Sequence, residues 1–500
     1  MRIIAVLILS SLVLSGAVRA QPIGEADMLR HIEILASDAF EGRDPGTAGE
    51  NKTVNYIATQ WTAANLQPAG DSDSWYAPVA LVERVPESYR IKFVGDDSGK
   101  TVRLRRSEII LRGREPSFQQ NAIPVVFAGY AALDDGQDGS SVAGKLVLLP
   151  RTEPKGHNDL PDYRDRRLQL IENGAIGVIS IVNNQNRWKR FRRFYERGST
   201  MLADPESHGA FEGLISFDQF TRLAEVSGLD AQKLLADRAT SAVIELGLSA
   251  DAKAKTRLHS YTSHNVVGKI AGRNPESGAI LFMGHWDHLG FCRAKDPKNP
   301  DKDRICNGAV DNASGISLLI EAAKRLSGED HDRDIYFLAT TAEEKGLLGA
   351  RAFLHRPPVA LEQIAAVFNV DTVALSDDKR KIAIVGLGET ELDKDLEIVA
   401  AQEGREIDRS GKADAYLKRQ DGYVFLERNI PAFMITSAFA DNMRLKAFLN
   451  GAYHDVSDEV NDTLVLTGAA ADANFHVALG RYFASTATYR GKATSGAPDN

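Results

Sequence analysis

Near-continuous apolar runs of strand length, separated by helical segments, recur after Thr256 and constrain the fold more than any other feature of the chain. The runs are NVVGKIAG, AILFMGH, DIYFLATT, AAVFNVD, KIAIVGL and IPAFMIT. Strands that are buried on both faces have this composition, whereas strands with one solvated face alternate between apolar and polar residues. The pattern therefore predicts an α/β fold with a mostly parallel central sheet sandwiched by helices.

The length of the chain and a change in its character predict more than one domain. A chain of 500 residues exceeds the ~250–300 residues at which a single hydrophobic core stops growing. AIPVVFAGY, GKLVLLP and DYRDRRLQLIENGAIGVISIV read as β-type runs and a βαβ step. We predict a smaller, β-rich α/β insert at 119–250 within a catalytic domain formed by 21–118 and 251–490, followed by a flexible tail at 491–500.

The N-terminal segment 1–20 resembles a cleavable secretory signal. It carries Arg2, an apolar stretch from Ile3 to Leu14, and then small residues ahead of Gln21. An uncleaved membrane anchor is the alternative, but the apolar stretch is shorter than the ~20 residues that span a bilayer. We expect a secreted or periplasmic protein without stable membrane insertion after signal cleavage.

The charge balance argues against a nucleic-acid partner. The formal net charge is −8, and the chain is 43% hydrophobic and 26% charged. These are ordinary fractions for a globular protein, and a net negative surface does not attract phosphates. The oligomeric state stays open at this stage.

Two cysteines, Cys292 and Cys306, flank the polar loop RAKDPKNPDKDRI. In an exported chain, a disulfide that closes this loop is the favoured interpretation. Two free thiols are the second interpretation, and metal ligation is the third because no CxxC spacing occurs.

The segment NRWKRFRRFYERG at 186–198 interleaves basic and aromatic residues. The favoured interpretation is a solvated loop whose long side chains cover apolar neighbours. The alternative is a lid or a docking surface for an acidic substrate or partner.

Acidic and histidine residues stand where several of the predicted strands end. Ligands of open α/β sheets bind outside the carboxyl ends of the strands, so these residues are candidates for one site. Imidazole and carboxylate groups together favour zinc over magnesium or calcium, with cobalt and manganese chemically open. The candidate ligands are His285, Asp311, Glu344, Asp371 and His454.

The five candidates can be divided between two ions. A carboxylate must bridge ions that lie ~3.5–4 Å apart in a two-metal hydrolytic site. Asp311 suits the bridge because it lies in the Gly-rich loop NGAVDNASG at the start of a helix. His285 with Asp371 can complete one ion, and Glu344 with His454 the other.

The two remaining candidates, Glu343 and Asp287, are assigned to proton transfer and to hydrogen bonding rather than to metal binding. Glu343 adjoins Glu344, and consecutive residues that leave a strand point in different directions. We predict that Glu343 is the general base, which takes a proton from the water between the ions and delivers it to the leaving amine. Asp287 is placed to accept the other imidazole N–H of His285. Taken singly, each acidic residue is as readily explained as a helix cap, and each histidine as a structural residue.

The motifs as a set resemble those of the secreted di-zinc aminopeptidase family of clan MH. The matching segments are GHWDHLG, NGAVDNASG, TTAEEKGLLGARAF, NVD and AYH. EGRDPGTAGENKTVNYIA resembles the N-terminal segment of that family, and GYAALDDG with IENGAIGVISI resembles its protease-associated domain. The resemblance covers almost the whole chain after residue 20. It implies the same five ligands and the same base, two Zn2+ per chain, and peptide substrates with a free N-terminus.

One segment departs from the family pattern. Members often carry an Asp-His pair in this region, but QDGYVFLERNIP has Gly422 in place of the histidine. The resemblance assigns substrate contacts to Asp421 and Tyr423, and the departure affects these contacts rather than the metal ligands.

We therefore expect an exported zinc-dependent exopeptidase, most simply an aminopeptidase. One alternative is a di-zinc carboxypeptidase, dipeptidase or amidase on the same scaffold, in which Arg419 or Arg444 would hold a substrate carboxylate. The other is a catalytically inactive binding protein that makes its contacts through the insert.

Overall fold

The computed structural model describes residues 21–130, 141–151, 163–203, 209–236 and 243–491. The predicted signal segment 1–20 lies outside the described residues, as do residues 492–500 of the predicted tail. Within the described ranges, no helix has the length and apolar character needed to cross a membrane.

Helices and strands alternate through much of the described chain. The helices are α1 (Glu25–Leu35), α2 (Ala48–Ala63), α3 (Tyr163–Glu172), α4 (Gln185–Arg197), α5 (Phe217–Val226), α6 (Ala231–Ala236), α7 (Ser314–Leu326), α8 (Leu348–His355), α9 (Asp393–Gln402), α10 (Tyr423–Leu426), α11 (Asn442–Asn450) and α12 (Leu466–Ala484). The strands are β1 (Gln67–Pro68), β2 (Tyr76–Gly95), β3 (Thr101–Leu104), β4 (Ile109–Gly113), β5 (Ser117–Phe127), β6 (Leu146–Pro150), β7 (Gly177–Val182), β8 (Ser199–Leu202), β9 (Phe211–Ser216), β10 (Ile244–Ile270), β11 (Ala279–His285), β12 (Gly290–Phe291), β13 (Ile305–Cys306), β14 (Asp334–Thr340), β15 (Ile364–Asn369), β16 (Lys381–Val385), β17 (Glu406–Ile407) and β18 (Ala432–Thr436).

The chain divides into two compact units, one formed by residues 1–77 with 265–500 and the other by 78–264. The second unit is longer at both ends than the insert predicted at 119–250. The difference arises because β2 pairs with β8, which lies inside the predicted insert, and because β10 continues its pairing with β5 as far as Lys255. These segments therefore belong to the second unit, although the sequence interpretation assigned them to the catalytic domain. Its assignment as a protease-associated domain stays a prediction.

The sheet of the first unit has the strand order β17-β16-β18-β15-β11-β14-β10, and β10 enters it with residues 266–270. The central strands β18, β15, β11 and β14 are parallel to one another. The pairs β16–β18 and β14–β10 are antiparallel. The predicted mostly parallel α/β sheet is confirmed.

Both faces of this sheet are covered by helices, which explains why its strands are apolar throughout. On one face, Phe282 and Phe337 pack in a core that includes residues of α1, α2, α7 and α12. On the other face, Met283 and Leu338 pack with residues of α8 and α10, among them Phe353. Successive side chains of a strand point to opposite faces, so every position of β11 and β14 is buried.

The predicted disulfide between Cys292 and Cys306 is present, with a Cα–Cα distance of 5.8 Å. It joins the short antiparallel pair β12–β13, in which Gly290 is opposite Cys306. The loop that it closes follows His285 in the chain and precedes Asp311, so the crosslink limits the conformations of a segment between two predicted ligands.

In the second unit the strand order is β10-β5-β6-β7-β9-β4. The basic and aromatic segment at 186–198, interpreted as a loop, is instead helix α4. Asn184 caps the helix by accepting hydrogen bonds from two backbone N–H groups, and Trp188 and Tyr195 pack in a small core with Leu214. Their seven-residue spacing puts both rings on one face of a helix, which leaves the basic residues for the other faces.

Candidate metal centre

Three neighbouring parallel strands bring predicted ligands to one edge of the first unit's sheet. β11 ends at His285, which is in register with Thr340 at the end of β14. Glu344 follows β14, and Asp371 follows β15, the other neighbour of β11. Because parallel strands end at the same edge, residues that are far apart in sequence meet there.

The two remaining predicted ligands reach this edge from outside the sheet. Asp311 lies in the irregular turn that precedes α7 and is 3% exposed. His454 lies in the loop after α11, and its side chain is 35% exposed. The structure therefore brings all five predicted ligand side chains together, and their individual roles stay predictions.

The carboxylate of Asp311 faces two separate groups of side chains. Its Oδ1 atom lies 3.3 Å from His285 Nε2, which is also 3.5 Å from Asp371 Oδ1. Its Oδ2 atom lies 3.4 Å from His454 Nε2, which is also 2.9 Å from Glu344 Oε2. Each oxygen of one carboxylate is thus associated with one histidine and one further carboxylate.

These distances fit a tetrahedral metal site. Donor atoms bound to zinc at about 2.0–2.1 Å lie roughly 3.3 Å apart when the geometry is tetrahedral. The separations around Asp311 lie between 2.9 and 3.5 Å. The imidazoles of His285 and His454 outweigh the effect of burial and hold the pKa of Asp311 well below its ordinary value, so this carboxylate is anionic and can accept a cation at each oxygen.

His288 is a further candidate ligand that the sequence interpretation missed. It is fully buried, and it forms a possible metal-binding group with Asp311 and Glu344. Its Nδ1 atom lies 2.9 Å from Glu344 Oε1, yet both atoms lack a hydrogen-bond partner, as expected if both pointed at a common cation. The available signal was the second histidine of GHWDHLG, which the interpretation quoted but did not assign.

The ring of His288 fits against Gly308, which begins the turn that carries Asp311. Gly308 has a φ of 58°, a region that favours glycine. A Cβ atom there would lie 2.7 Å from the His288 ring and 2.1 Å from the carbonyl oxygen of Asp311. The Gly-rich composition of NGAVDNASG thus has a steric cause.

Asn312 ties the ligand-bearing segments together. Its side-chain amide donates to the backbone carbonyls of His285 and Val370, and its Oδ1 atom accepts from the N–H groups of Gly315 and Thr372. The bond from Gly315 also connects Asn312 to the first turn of α7. The other bonds hold the residues that precede and follow Asp371 beside the end of β11.

Asp458 binds the backbone of the turn that carries Asp311. Its carboxylate accepts hydrogen bonds from the backbone N–H groups of Val310 and Asp311 at 2.9 and 3.1 Å. It is 2% exposed and belongs to the same loop as His454. A shift of this loop would therefore move both the bridging carboxylate and a histidine ligand.

Arg43 connects the N-terminal segment to the loops of the centre. Its buried guanidinium donates to the carbonyl oxygens of four residues, which are Leu35, Trp286, Asn307 and Gly308. Burial lowers the pKa of Arg43 to about 10, so it remains charged at neutral pH. Its several N–H donors therefore bind both the segment that follows His285 and the segment that precedes Asp311.

We expect Arg43→Lys to lower the free energy of unfolding by about 2–4 kcal/mol, because an ammonium group has three donors and cannot reproduce the planar fork. Urea denaturation of the purified variant would measure this change. Arg273→Lys is the matched control, because the side chain of Arg273 is 64% exposed. Equal unfolding midpoints for the two variants would contradict the role given to Arg43.

Asp287 does not act on His285 in the predicted way. His285 Nδ1 lies 3.0 Å from the backbone carbonyl of Asp287, whereas the Asp287 carboxylate is 3.8 Å away. That carboxylate instead accepts the backbone N–H of Glu343 at 3.0 Å. The buried Asp287 side chain therefore positions Glu343, and the imidazole is oriented by the main chain, which side-chain spacing could not have indicated.

Glu343 lines a pocket beside the centre. Its backbone is held by Asp287, and its side chain lines the pocket with Asp311 and Asp371. Burial raises the pKa of Glu343 well above its ordinary value, and the carboxylate of Glu344 adds to this effect while His285 opposes it. A group with a raised pKa beside two ligand carboxylates is a candidate for proton transfer.

The predicted substrate contacts of Asp421 and Tyr423 are not supported by the geometry. Asp421 is 1% exposed, and it accepts a hydrogen bond from Thr340 at the end of β14. Burial raises its pKa to about 6. The lining of the pocket includes the preceding residues Arg419 and Gln420 but neither Asp421 nor Tyr423. Asp421 faces the sheet because its side chain binds the strand end.

The fold is shared with a solved aminopeptidase. The aminopeptidase from Aneurinibacillus sp. strain AM-1 superposes with a TM-score of 0.51 at 18% sequence identity, over 93% of this chain and 94% of that chain. At this identity the likeness concerns the fold alone. It places the chain among α/β proteins with the aminopeptidase fold.

The sequence comparisons point to one peptidase family. Residues 265–477 match the sequence model of peptidase family M28. This part of the chain is therefore similar to peptidase family M28, which agrees with the resemblance to the clan MH enzymes. This match covers the strands β11, β14 and β15 and all five predicted ligands.

Two curated relatives match over part of their length. Aminopeptidase YwaD of Bacillus subtilis is 31% identical over 346 residues, which cover 69% of this chain and 61% of that protein. The alkaline phosphatase isozyme conversion protein of Escherichia coli is 27% identical over 165 residues, which cover 30% of this chain and 47% of that protein. The chain thus spans about half to three-fifths of the length of these relatives.

Proposed function

We propose that the protein is a zinc-dependent aminopeptidase that binds two Zn2+ per chain. The observation that carries the proposal is the environment of Asp311, whose two carboxylate oxygens each face one histidine and one further carboxylate. A single carboxylate between two complete donor groups is the arrangement that a bridging ligand requires. The match of residues 265–477 to peptidase family M28 supports the choice of peptides as substrates.

The donor atoms fit zinc. His285, Asp371 and one oxygen of Asp311 would hold the first ion. His454, Glu344 and the other oxygen of Asp311 would hold the second, with His288 within reach of the same position. Imidazole nitrogen with carboxylate oxygen suits zinc better than magnesium or calcium. Bound zinc polarises the scissile carbonyl and lowers the pKa of water.

Glu343 supplies the proton transfers. In its ionised form it takes a proton from the attacking water, whose oxygen forms a bond to the carbonyl carbon of the peptide. It then gives this proton to the amide nitrogen as the C–N bond breaks, so that the leaving group departs as an amine. Asp287 contributes by holding the backbone of Glu343 in place, and a nearby dication favours the ionised base.

The pocket favours a free N-terminus. Asp311, Glu343 and Asp371 line it from the side of the centre, and an α-ammonium group gains electrostatic stabilisation beside carboxylates. An acetylated N-terminus lacks this charge. The acidic lining of the pocket supports exopeptidase action rather than cleavage within a chain.

We expect zinc-loaded protein to shorten peptides with free N-termini one residue at a time and to leave their N-acetylated counterparts intact. The experiment incubates matched free and acetylated peptide libraries with the protein and identifies the products by mass spectrometry. Cleavage of acetylated peptides at rates equal to those of free peptides would contradict the aminopeptidase assignment. Products shortened from the carboxyl end would favour the carboxypeptidase alternative.

We also propose that the protein is exported to the periplasm or the medium. The signal-like segment 1–20 supports this, and so does the Cys292–Cys306 disulfide, because disulfides persist in oxidising compartments. Cell fractionation followed by N-terminal sequencing would test it. A cytosolic chain that retains residue 1 would contradict the proposal.

A further inference from the structure

The lining of the pocket beside the centre combines carboxylates of the centre with apolar side chains. Arg419 also lines the pocket. The apolar wall residues are Met434, Phe439 and Leu449.

Two tyrosines contact the exposed side chain of Arg419 at this pocket. Its Cζ atom lies 5.6 Å from the ring centroid of Tyr416 and 6.0 Å from that of Tyr453. Its Nη2 atom donates to the Tyr453 hydroxyl at 3.3 Å. The Tyr453 ring in turn stacks on His454, with the ring centroids 3.7 Å apart, so one residue links the guanidinium to a ligand of the centre.

Arg419 and Arg444 were both candidates to bind a substrate carboxylate, but they differ in their ion pairs. Arg444 forms ion pairs with Asp377 and Asp441 and does not line the pocket. Within the described ranges, no carboxylate lies at ion-pair distance from Arg419. A guanidinium has five N–H donors, and the bond to Tyr453 uses one of them.

We propose that Arg419 binds a carboxylate of the substrate, and that this carboxylate is the side chain of an N-terminal glutamate or aspartate. The inference rests on the proposed aminopeptidase function. One N-terminal residue carries both an ammonium group and a side chain on the same Cα atom. It can therefore place the ammonium near the centre and the carboxylate beside Arg419, with its methylene groups against the apolar residues of the lining.

A second source of the same chemistry is the α-carboxylate of a dipeptide. That group belongs to the leaving residue, one peptide bond further from the ammonium. The single pocket shared by Arg419, Glu343 and Asp371 favours the side-chain carboxylate. The two sources can be separated with substrates that carry only one of them.

The test compares kcat/KM for glutamyl and glutaminyl p-nitroanilides, which differ in charge but hardly in shape. Leucyl-glycine and its amide form the second pair and probe the α-carboxylate. Zinc-loaded full-length protein is measured beside Arg419→Gln and Arg444→Gln. Each result is a ratio on one preparation, so a partly folded variant does not disturb it.

We expect wild type to prefer the glutamyl over the glutaminyl substrate by about 10- to 100-fold, the value of a charge-assisted hydrogen bond. Arg419→Gln should bring this ratio close to one, and Arg444→Gln should leave it unchanged. A wild-type ratio near one, or a preference that survives Arg419→Gln, would overturn the proposal. So would a loss confined to the leucyl-glycine pair, because Arg419 would then hold the α-carboxylate.

The same measurements distinguish a wrong role for Arg419 from a wrong aminopeptidase assignment. Hydrolysis of the leucyl or glutaminyl substrates with no dependence on Arg419 refutes the inference and retains the aminopeptidase. An absence of hydrolysis for every substrate with a free N-terminus refutes both.

Discussion

Glu343→Gln is expected to lower kcat by about 10²- to 10⁴-fold while the protein keeps its zinc, because the amide cannot accept the proton of the attacking water. Glutamine has nearly the same shape as glutamate, and Glu343 is not among the groups of side chains that could hold an ion. Steady-state kinetics with leucyl p-nitroanilide and zinc analysis on the same sample would measure both quantities.

Glu362→Gln is a matched control for this substitution. Glu362 is exposed and lies in the turn before β15, at the end of that strand opposite Asp371. It should retain wild-type kcat. A Glu343→Gln enzyme with a kcat within about threefold of wild type would remove Glu343 from the mechanism.

Asp311→Asn is expected to release both ions, with zinc falling from two to less than one per chain and activity falling by at least about 10³-fold. An amide offers one neutral oxygen, whereas the bridging carboxylate offers an anionic oxygen to each donor group. Zinc content after dialysis, determined by plasma mass spectrometry, measures the effect. The near-identical shape of asparagine limits the change in packing around this buried residue.

Asp371→Asn provides the comparison that isolates the bridge. Asp371 lies near His285 but belongs to one donor group only, so we expect this variant to lose mainly one ion. If Asp311→Asn kept two ions, or lost no more zinc than Asp371→Asn, Asp311 would not be a bridge.

The parallel sheet and the order of the ligands could be predicted because each follows from local composition. Strands buried on both faces must be apolar throughout, as β11 and β14 are. Parallel strands end at one edge, so a His or Asp directly after such a run is brought to a common site. His285, Asp371 and the pair Glu343-Glu344 were found by this reasoning.

Contacts that depend on the backbone or on tertiary packing could not be predicted. The second nitrogen of His285 meets the carbonyl of Asp287 rather than its side chain. The Asp458 carboxylate binds backbone N–H groups 147 and 148 positions away, and no local pattern indicates this. His288 was visible in the sequence, but a histidine three residues after another ligand gave no reason to choose between a ligand and a core residue.

Two predictions were wrong for different physical reasons. One concerned the boundaries of the second unit, and the other concerned the segment that forms helix α4. The boundary depends on which strands β2 and β10 pair with, and pairing partners are not encoded in a single segment. For α4, the high content of basic residues favoured a solvated loop, although the spacing of Trp188 and Tyr195 already indicated one helical face.

The most direct test of the central claim is anomalous diffraction at the zinc edge from crystals of the zinc-loaded protein. We expect two anomalous peaks about 3.5–4 Å apart, one on each side of the Asp311 carboxylate. The first should lie beside His285 and Asp371, and the second beside His454 and Glu344. A single peak, or two peaks that do not share Asp311, would contradict the claim that these residues form one two-metal centre.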